Sequence, residues 1–192
     1  MGYVWRGQDQ FKELADDFEE LQRKVEGFKF EHLIENEAFV SATIEATRIA
    51  IGTHHKEKRK YLRNALLNIA VGKGLDELRQ QIFLNAVEAF SPSHVKSLDL
   101  IWRGAGQHIP WDENAITFMQ RNYGTAMGLV SPELKGQPSL SNAVLAELRN
   151  RGFSSLGGPD LSFPQGGLIT NLGVEFLNFV IGPEVIRAAG HI

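Results

Sequence analysis

The sequence has no cysteine. Disulfides, thiolate nucleophiles, Cys-ligated zinc and iron–sulfur clusters are excluded together, and the absence fits a reducing compartment. Long apolar runs are also missing; none reaches the ~18 residues of a membrane span. The opening stretch Met1-Gly2-Tyr3-Val4-Trp5-Arg6 lacks a signal-peptide core and turns acidic from Asp9 onward. The expectation is a cytoplasmic protein. Positive charge is in short supply, with 20 Lys and Arg against 23 Asp and Glu and a net charge of -3. A chain that holds duplex nucleic acid mainly by electrostatics is usually basic, overall or in one domain, so this balance speaks against that role.

Familiar reactive patterns are missing too. There is no GxxxxGK[ST] phosphate loop, no GxGxxG after a strand, no GxSxG and no HExxH. The histidines are His32, His54, His55, His94, His108 and His191, and none lies three or four residues from another. His54 and His55 are adjacent and point apart, which makes them poor joint ligands. His32 and Glu35 offer two ligands without a source for a third. No Glu-x-x-His pair exists for a di-iron site in a bundle core. His94, in the first turn after Ser91-Pro92, reads as a satisfied cap or part-buried residue rather than a catalytic base. The chain therefore reads as a non-enzyme without cofactor or metal.

What the sequence does have is helical periodicity. Over Gln8–Glu26, Phe11, Leu14, Phe18, Leu21 and Val25, then Phe28, fall three and four apart in a short heptad seam. Asp9, Glu13, Asp16, Asp17, Glu19, Glu20 and Glu26 occupy the other faces. The seam is too short for a free-standing coiled coil, which favours one helix of an antiparallel bundle over a dimerisation helix. A second helix is predicted from about Glu35 to Ile51. Phe39, Val40, Ile44, Thr47-Arg48 and Ile51 give its stripe, and Ala42, Ala46 and Ala50 allow close approach. Tyr61, Leu62, Ala65, Leu66 and Ile69 mark a third helix, ended by Gly72 and Gly74. Leu78, Ile82, Val87 and Phe90, widened by Phe83 and Leu84, mark a fourth. Each is too short to stand alone in water, so residues 1–90 are expected to bury them against one another as a helical bundle.

Charge is uneven along this half. Residues 1–53 carry six Lys or Arg against eleven Asp or Glu, whereas residues 54–90 carry seven against four. Lys56, Lys58, Arg59, Lys60 and Arg63 crowd the start of the third helix. The plain interpretation is an acidic first helix lying beside a basic third one. The functional alternative is a site for an anion or an acidic partner, because a helix N-terminus disfavours stacked cations unless something negative neutralises them.

Residues 91–192 have a different texture. Ser91-Pro92 is a helix start, with Val95, Leu98 and Ile101-Trp102 behind it. Gly104–Gln107 reads as a connector, and Trp102, His108 and Trp111 sit near it as an aromatic contact or the wall of a ligand pocket. Pro110 to about Tyr123 reads as a helix, Gly124–Gln137 as a loop, and Ser139–Arg151 as a helix capped by Ser139. Gly157-Gly158-Pro159-Asp160 predicts a small β-hairpin over Phe153–Ile169. Thr170 caps a last helix. Three helices, a hairpin and a helix is the order of a winged helix. The expected fold is thus mainly α, an N-terminal bundle followed by a winged-helix-like α+β part. A DNA-reading helix would present Asn142, Arg149, Asn150 and Arg151, but the wing Leu156–Gln165 has no Lys or Arg to follow a phosphate backbone.

The segments Glu57-Lys58-Arg59-Lys60-Tyr61-Leu62-Arg63-Asn64-Ala65-Leu66, Ser91-Pro92-Ser93-His94, Leu148-Arg149-Asn150-Arg151-Gly152 and Ile169-Thr170-Asn171-Leu172-Gly173-Val174-Glu175-Phe176-Leu177 follow one another in an order that resembles the abortive-infection-alpha type of domain of unknown function. That resemblance implies a helical N-terminal part, a winged-helix-like end and a link to phage defence. It implies no site residues, since the matching positions are mostly apolar and capping. The expected role is a regulatory or protein-interaction module that binds a partner or itself through the helical half. The alternatives are a DNA-binding regulator and an enzyme whose site assembles only in three dimensions.

Overall fold

The computed structural model describes residues 30–72, 75–106, 123–155 and 168–181, together with Lys12, Ala15, Asp16, Glu19, Gln22 and Arg23. Its helices are α1 (Phe30–Ile34), α2 (Glu37–Gly52), α3 (Lys56–Ala70), α4 (Glu77–Ala89), α5 (Pro92–Gly106), α6 (residues 123–130), α7 (Pro138–Asn150) and α8 (Asn171–Val180). A 3₁₀ turn, Pro132–Leu134, precedes α7. The chain divides into two compact units, residues 1–89 with 179–192, and residues 90–178.

In the first unit, α2, α3 and α4 pack pairwise and α1 packs on α2. Asn36 caps α2, its side chain accepting the Phe39 N–H at 3.1 Å. Asp76 does the same for α4 through the Arg79 N–H at 2.8 Å. Leu33, Phe39 and Leu67 form one core cluster. Leu62, Ala65 and Leu66 of α3 and Phe83, Leu84, Ala86 and Val87 of α4 supply further buried positions. Phe179, from the end of α8, packs its ring 5.3 Å from that of Phe83. The carbonyls that end α8 have no partner within the helix, and two buried asparagines of α3 supply one. Asn64 donates to Val180 O at 2.9 Å, and Asn68 to Phe179 O at 3.0 Å and Ile181 O at 2.7 Å. Lys12, Ala15, Asp16, Glu19, Gln22 and Arg23 are helical and exposed. The heptad seam itself, Phe11 to Phe28, lies outside the described residues.

The expected stripe of α2 is right in part. Phe39 is buried and Ala42 and Ala46 make the close approach expected of them, joined by Ile49, but Val40, Ile44 and Ile51 of the same stripe point outward. Alanines let the α2 backbone approach its neighbours, so the small-residue side makes the contact and the larger aliphatic side is left outside. Leu78 and Ile82 at the start of α4 are likewise exposed.

The second unit is built on aromatic packing. Phe90, Phe153 and Phe176 meet edge-on at centroid separations of 5.0 to 5.9 Å. Leu98 and Ile101 of α5, Met127 of α6 and Leu148 of α7 are fully buried. The predicted connector Gly104–Gln107 is wrong as far as Gly106, since α5 runs through it. The predicted loop from Gly124 is instead helical to residue 130. Gly128 there does not break the helix. It admits Lys135, whose Cα would lie 3.1 Å from an added Cβ. The α7 helix starts two residues earlier than a Ser139 cap implies, at Pro138 with Gln137 at the cap, and proline stands where no N–H is needed.

The winged-helix expectation is overturned. Among the described residues there is no β-strand, hence no β-hairpin and no α+β part. Ser154 and Ile169 form only an isolated antiparallel bridge. The reason lies in the helix ends on both sides. Gly152 ends α7 at φ +79°, with Gly152 N–H to Arg149 O and Phe153 N–H to Leu148 O, a Schellman stop. Thr170 already caps α8, its hydroxyl oxygen accepting the Gly173 N–H at 3.0 Å and its O–H donating to Gly152 O at 2.6 Å. Among the described residues that leaves Phe153–Ser155 on one side and Leu168–Ile169 on the other, and they form no more than that bridge. Residues 156–167, 107–122 and 182–192 lie outside the described residues, as do the predicted wing turn, most of the Pro110–Tyr123 helix and the Gly182-Pro183 end.

Candidate functional site

The basic run at the start of α3 is divided in its contacts. Spacing places Lys56, Arg59, Lys60 and Arg63 on one stripe. Lys58 points elsewhere and donates to Glu88 O at 2.6 Å, where a cation suits the C-terminal end of α4. Burial lowers its pKa, opposed by the nearby Glu88 carboxylate. Arg59 donates to Thr53 O at 3.1 Å, fastening the α2–α3 link. Arg48 bridges Glu45 and Glu88 at 2.7 and 2.8 Å beside them. Lys56 is exposed and makes no ion pair among the described residues. Part of the run therefore holds the bundle together.

A second cluster sits at the N-terminus of α5, and sequence spacing marked only its first half. His94 Nδ1 accepts the Ser91 N–H at 3.1 Å and lies 2.9 Å from Ser91 Oγ. Nε2 therefore carries the proton and donates to Glu147 Oε2 at 3.0 Å. Hydroxyl, imidazole and carboxylate line up in the order of a nucleophilic relay, but the details point to structure. The nitrogen facing the hydroxyl already accepts a backbone N–H, and Pro92 has no N–H to offer an oxyanion. The arrangement is one half of a capping box, with histidine where Glu or Gln usually stands: its ring accepts the Ser91 N–H, while the His94 N–H goes to the Ser91 backbone carbonyl at 3.0 Å. Ser93 Oγ donates to Glu133 Oε1, so two carboxylates converge on this helix N-terminus. The imidazole stacks on Phe90, with centroids 4.9 Å apart and planes 5° from parallel.

Burial holds the His94 imidazole below its ordinary 6.5, and Arg151 adds to this, while Glu147 opposes it. A basic group depressed on folding takes up more protons when unfolded. Its stabilisation is complete above 6.5 and is lost as pH falls through the folded value. The thermal midpoint of the second unit is expected to drop as the pH falls below about 6.5, before the ordinary carboxylate range is reached. His94→Gln, which keeps an acceptor for the Ser91 N–H, should flatten that slope; an unchanged slope would assign it to another group.

The four residues singled out for base contacts lie on α7 and its end. Asn142 and Asn150 are exposed. Arg151 pairs with Glu147 at 3.2 Å and lies over the Phe90 ring, 5.5 Å from its centroid. Arg149 is half-buried. Among the described residues no strand accompanies α7, so the winged-helix frame that made these four residues a reading head is not supported. Trp102 is exposed on α5, and His108 and Trp111 lie outside the described residues. Among the described residues no three His, Asp or Glu side chains converge to hold a metal, and no helix is long and apolar enough to cross a membrane.

The outer face of α2 is an apolar row that no other described element covers. At 100° per residue, Val40, Ile44, Thr47 and Ile51 fall on one line, on the side away from Phe39, Ala42, Ala46 and Ile49. Val40 is 38% exposed, Ile44 66% and Ile51 71%. Thr43 beside them is half-buried and has its hydroxyl tied to Phe39 O at 2.8 Å. No protein-family model, curated protein or solved structure matches this chain. The signal that would have located this face was in the sequence. A helix with alanines on one side and β-branched residues on the other has two apolar faces, and only one can be the core.

Proposed function

We propose that the protein acts by binding another polypeptide through the outer face of α2. The observation that supports this is the aligned exposure of Val40, Ile44 and Ile51 on a helix whose opposite face is already buried. Isolated exposed aliphatics are ordinary, but a contiguous row of them marks an interaction surface. The first unit is thus the binding half of a non-enzymatic interaction module. The family resemblance makes phage defence the first biological setting in which to look for the partner.

The test is a photoreactive residue at position 51 in the chain expressed in cells. Covalent adducts to a polypeptide are expected from position 51, and they should disappear when Ile44→Glu is added. Equal adducts from position 142 on α7, or none from position 51, would contradict binding through α2.

A further inference from the structure

We propose that the partner on the outer face of α2 is the same face of a second copy of this chain, lying antiparallel across a two-fold axis. The inference rests on the binding role given to that face above and adds the occupant. Its first ground is the spacing. Val40, Ile44, Thr47 and Ile51 are separated by four, three and four residues, a pattern that reads the same in both directions. An isologous contact needs such a pattern. Turned about its midpoint, the stripe sets Val40 opposite Ile51 and Ile44 opposite Thr47, so each large side chain meets an apolar neighbour or a methyl group. The close-approach side, Ala42 and Ala46, is already used inside the unit. The outer row can therefore pair without disturbing the core.

The second ground is charge. Glu31, Glu35 and Glu37 stand at or before the start of α2, and His54, His55 and Lys56 stand just beyond its end. All six are exposed. Glu35, Glu37 and Lys56 make no ion pair among the described residues. Antiparallel pairing carries the acidic end of one helix to the basic end of the other, with Glu35 reaching Lys56 and Glu37 reaching His54. Parallel pairing would set like charge against like. Copies of one chain thus meet both the apolar and the electrostatic requirement in the same register.

The stripe spans about 16 Å of helix. A contact of that length lies at the small, transient end of the range for protein interfaces. The expected species is a concentration-dependent dimer rather than a permanent one.

Sedimentation of the purified full chain over a wide concentration range decides the matter. The wild type is expected to pass from monomer to dimer as concentration rises. Ile44→Glu should raise the dissociation constant about tenfold or more, because it buries a charge at the centre. Glu35→Lys should weaken the dimer, and adding Lys56→Glu to that variant should restore it; no other arrangement predicts the rescue. Failure of the swap to rescue, or a dimer that Ile44→Glu leaves intact, overturns the proposal. A monomer at every concentration also overturns it. If position 51 still forms adducts in cells in that case, binding to a different polypeptide stands; if it does not, both ideas fall.

Discussion

Gly173→Ala is expected to cost about 3 kcal/mol or more and to lower the thermal midpoint of the second unit by on the order of 10 °C. On helix propensity alone the change should help, since alanine is better than glycine by about 1 kcal/mol in a helix interior. The surroundings reverse the sign. A Cβ at position 173 would lie 2.1 Å from the Phe153 carbonyl oxygen and 2.8 Å from Ile169 Cγ1. The first of these is backbone and has no rotamer to swing away. Phe153 is held by its N–H to Leu148 O, and its carbonyl accepts the Thr170 N–H at 3.3 Å. The new methyl must therefore push apart the end of α7 and the start of α8. The ring cluster of Phe90, Phe153 and Phe176 would loosen with them. Gly52→Ala is the control, because nothing lies within 4 Å of its added Cβ; its midpoint should hold. Equal midpoints for both variants would mean that the close approach at Gly173 carries no energy.

The second large effect is expected at Asn68. Replacing it with leucine keeps the branched shape and the number of side-chain heavy atoms, and removes the donors to Phe179 O and Ile181 O. Two carbonyls at the end of α8 would be left without a partner in a buried setting. Each unsatisfied group costs roughly 1–3 kcal/mol, so a loss of about 2–4 kcal/mol is expected in urea unfolding. Asn64→Leu removes one bond, to Val180 O, and should cost less. Because both side chains hold the same helix end, the double variant should lose less than the sum of the two. A change below about 0.5 kcal/mol for Asn68→Leu would place the hold on α8 elsewhere.

Much of the helical layout was legible because caps and stops are local chemistry. Ser91-Pro92, Thr170, Gly72 and Gly152 each act within a turn of themselves, and each ends or begins a helix as the sequence suggests. What was not legible depended on distance. At the predicted hairpin Phe153–Ile169 the described residues form a single bridge and no strand, because two helix ends meet there, which turn residues do not reveal. Asn64 and Asn68 looked like polar spacing on an amphipathic helix, and their partners lie more than a hundred residues away. The Glu147 side of the His94 cluster had no local mark either, since it reaches α5 from α7. The face of α2 was different. Its alanine row was read as the side of close approach, and Ala42 and Ala46 are buried there with Phe39, but Val40, Ile44 and Ile51 were added to the inward stripe although they lie on the opposite side of the helix.

The absence of cysteine gives a direct way to test the face-to-face register of α2, because any engineered thiol is unique. Ile44→Cys and Thr47→Cys chains, made separately, mixed and mildly oxidised, should yield chiefly the 44-to-47 disulfide between two copies. Each variant alone should cross-link more slowly, and Asn142→Cys on the exposed surface of α7 should do so least. Cross-linking from position 142 as fast as from the mixture, or no 44-to-47 product at concentrations where the chain associates, would contradict pairing through this face.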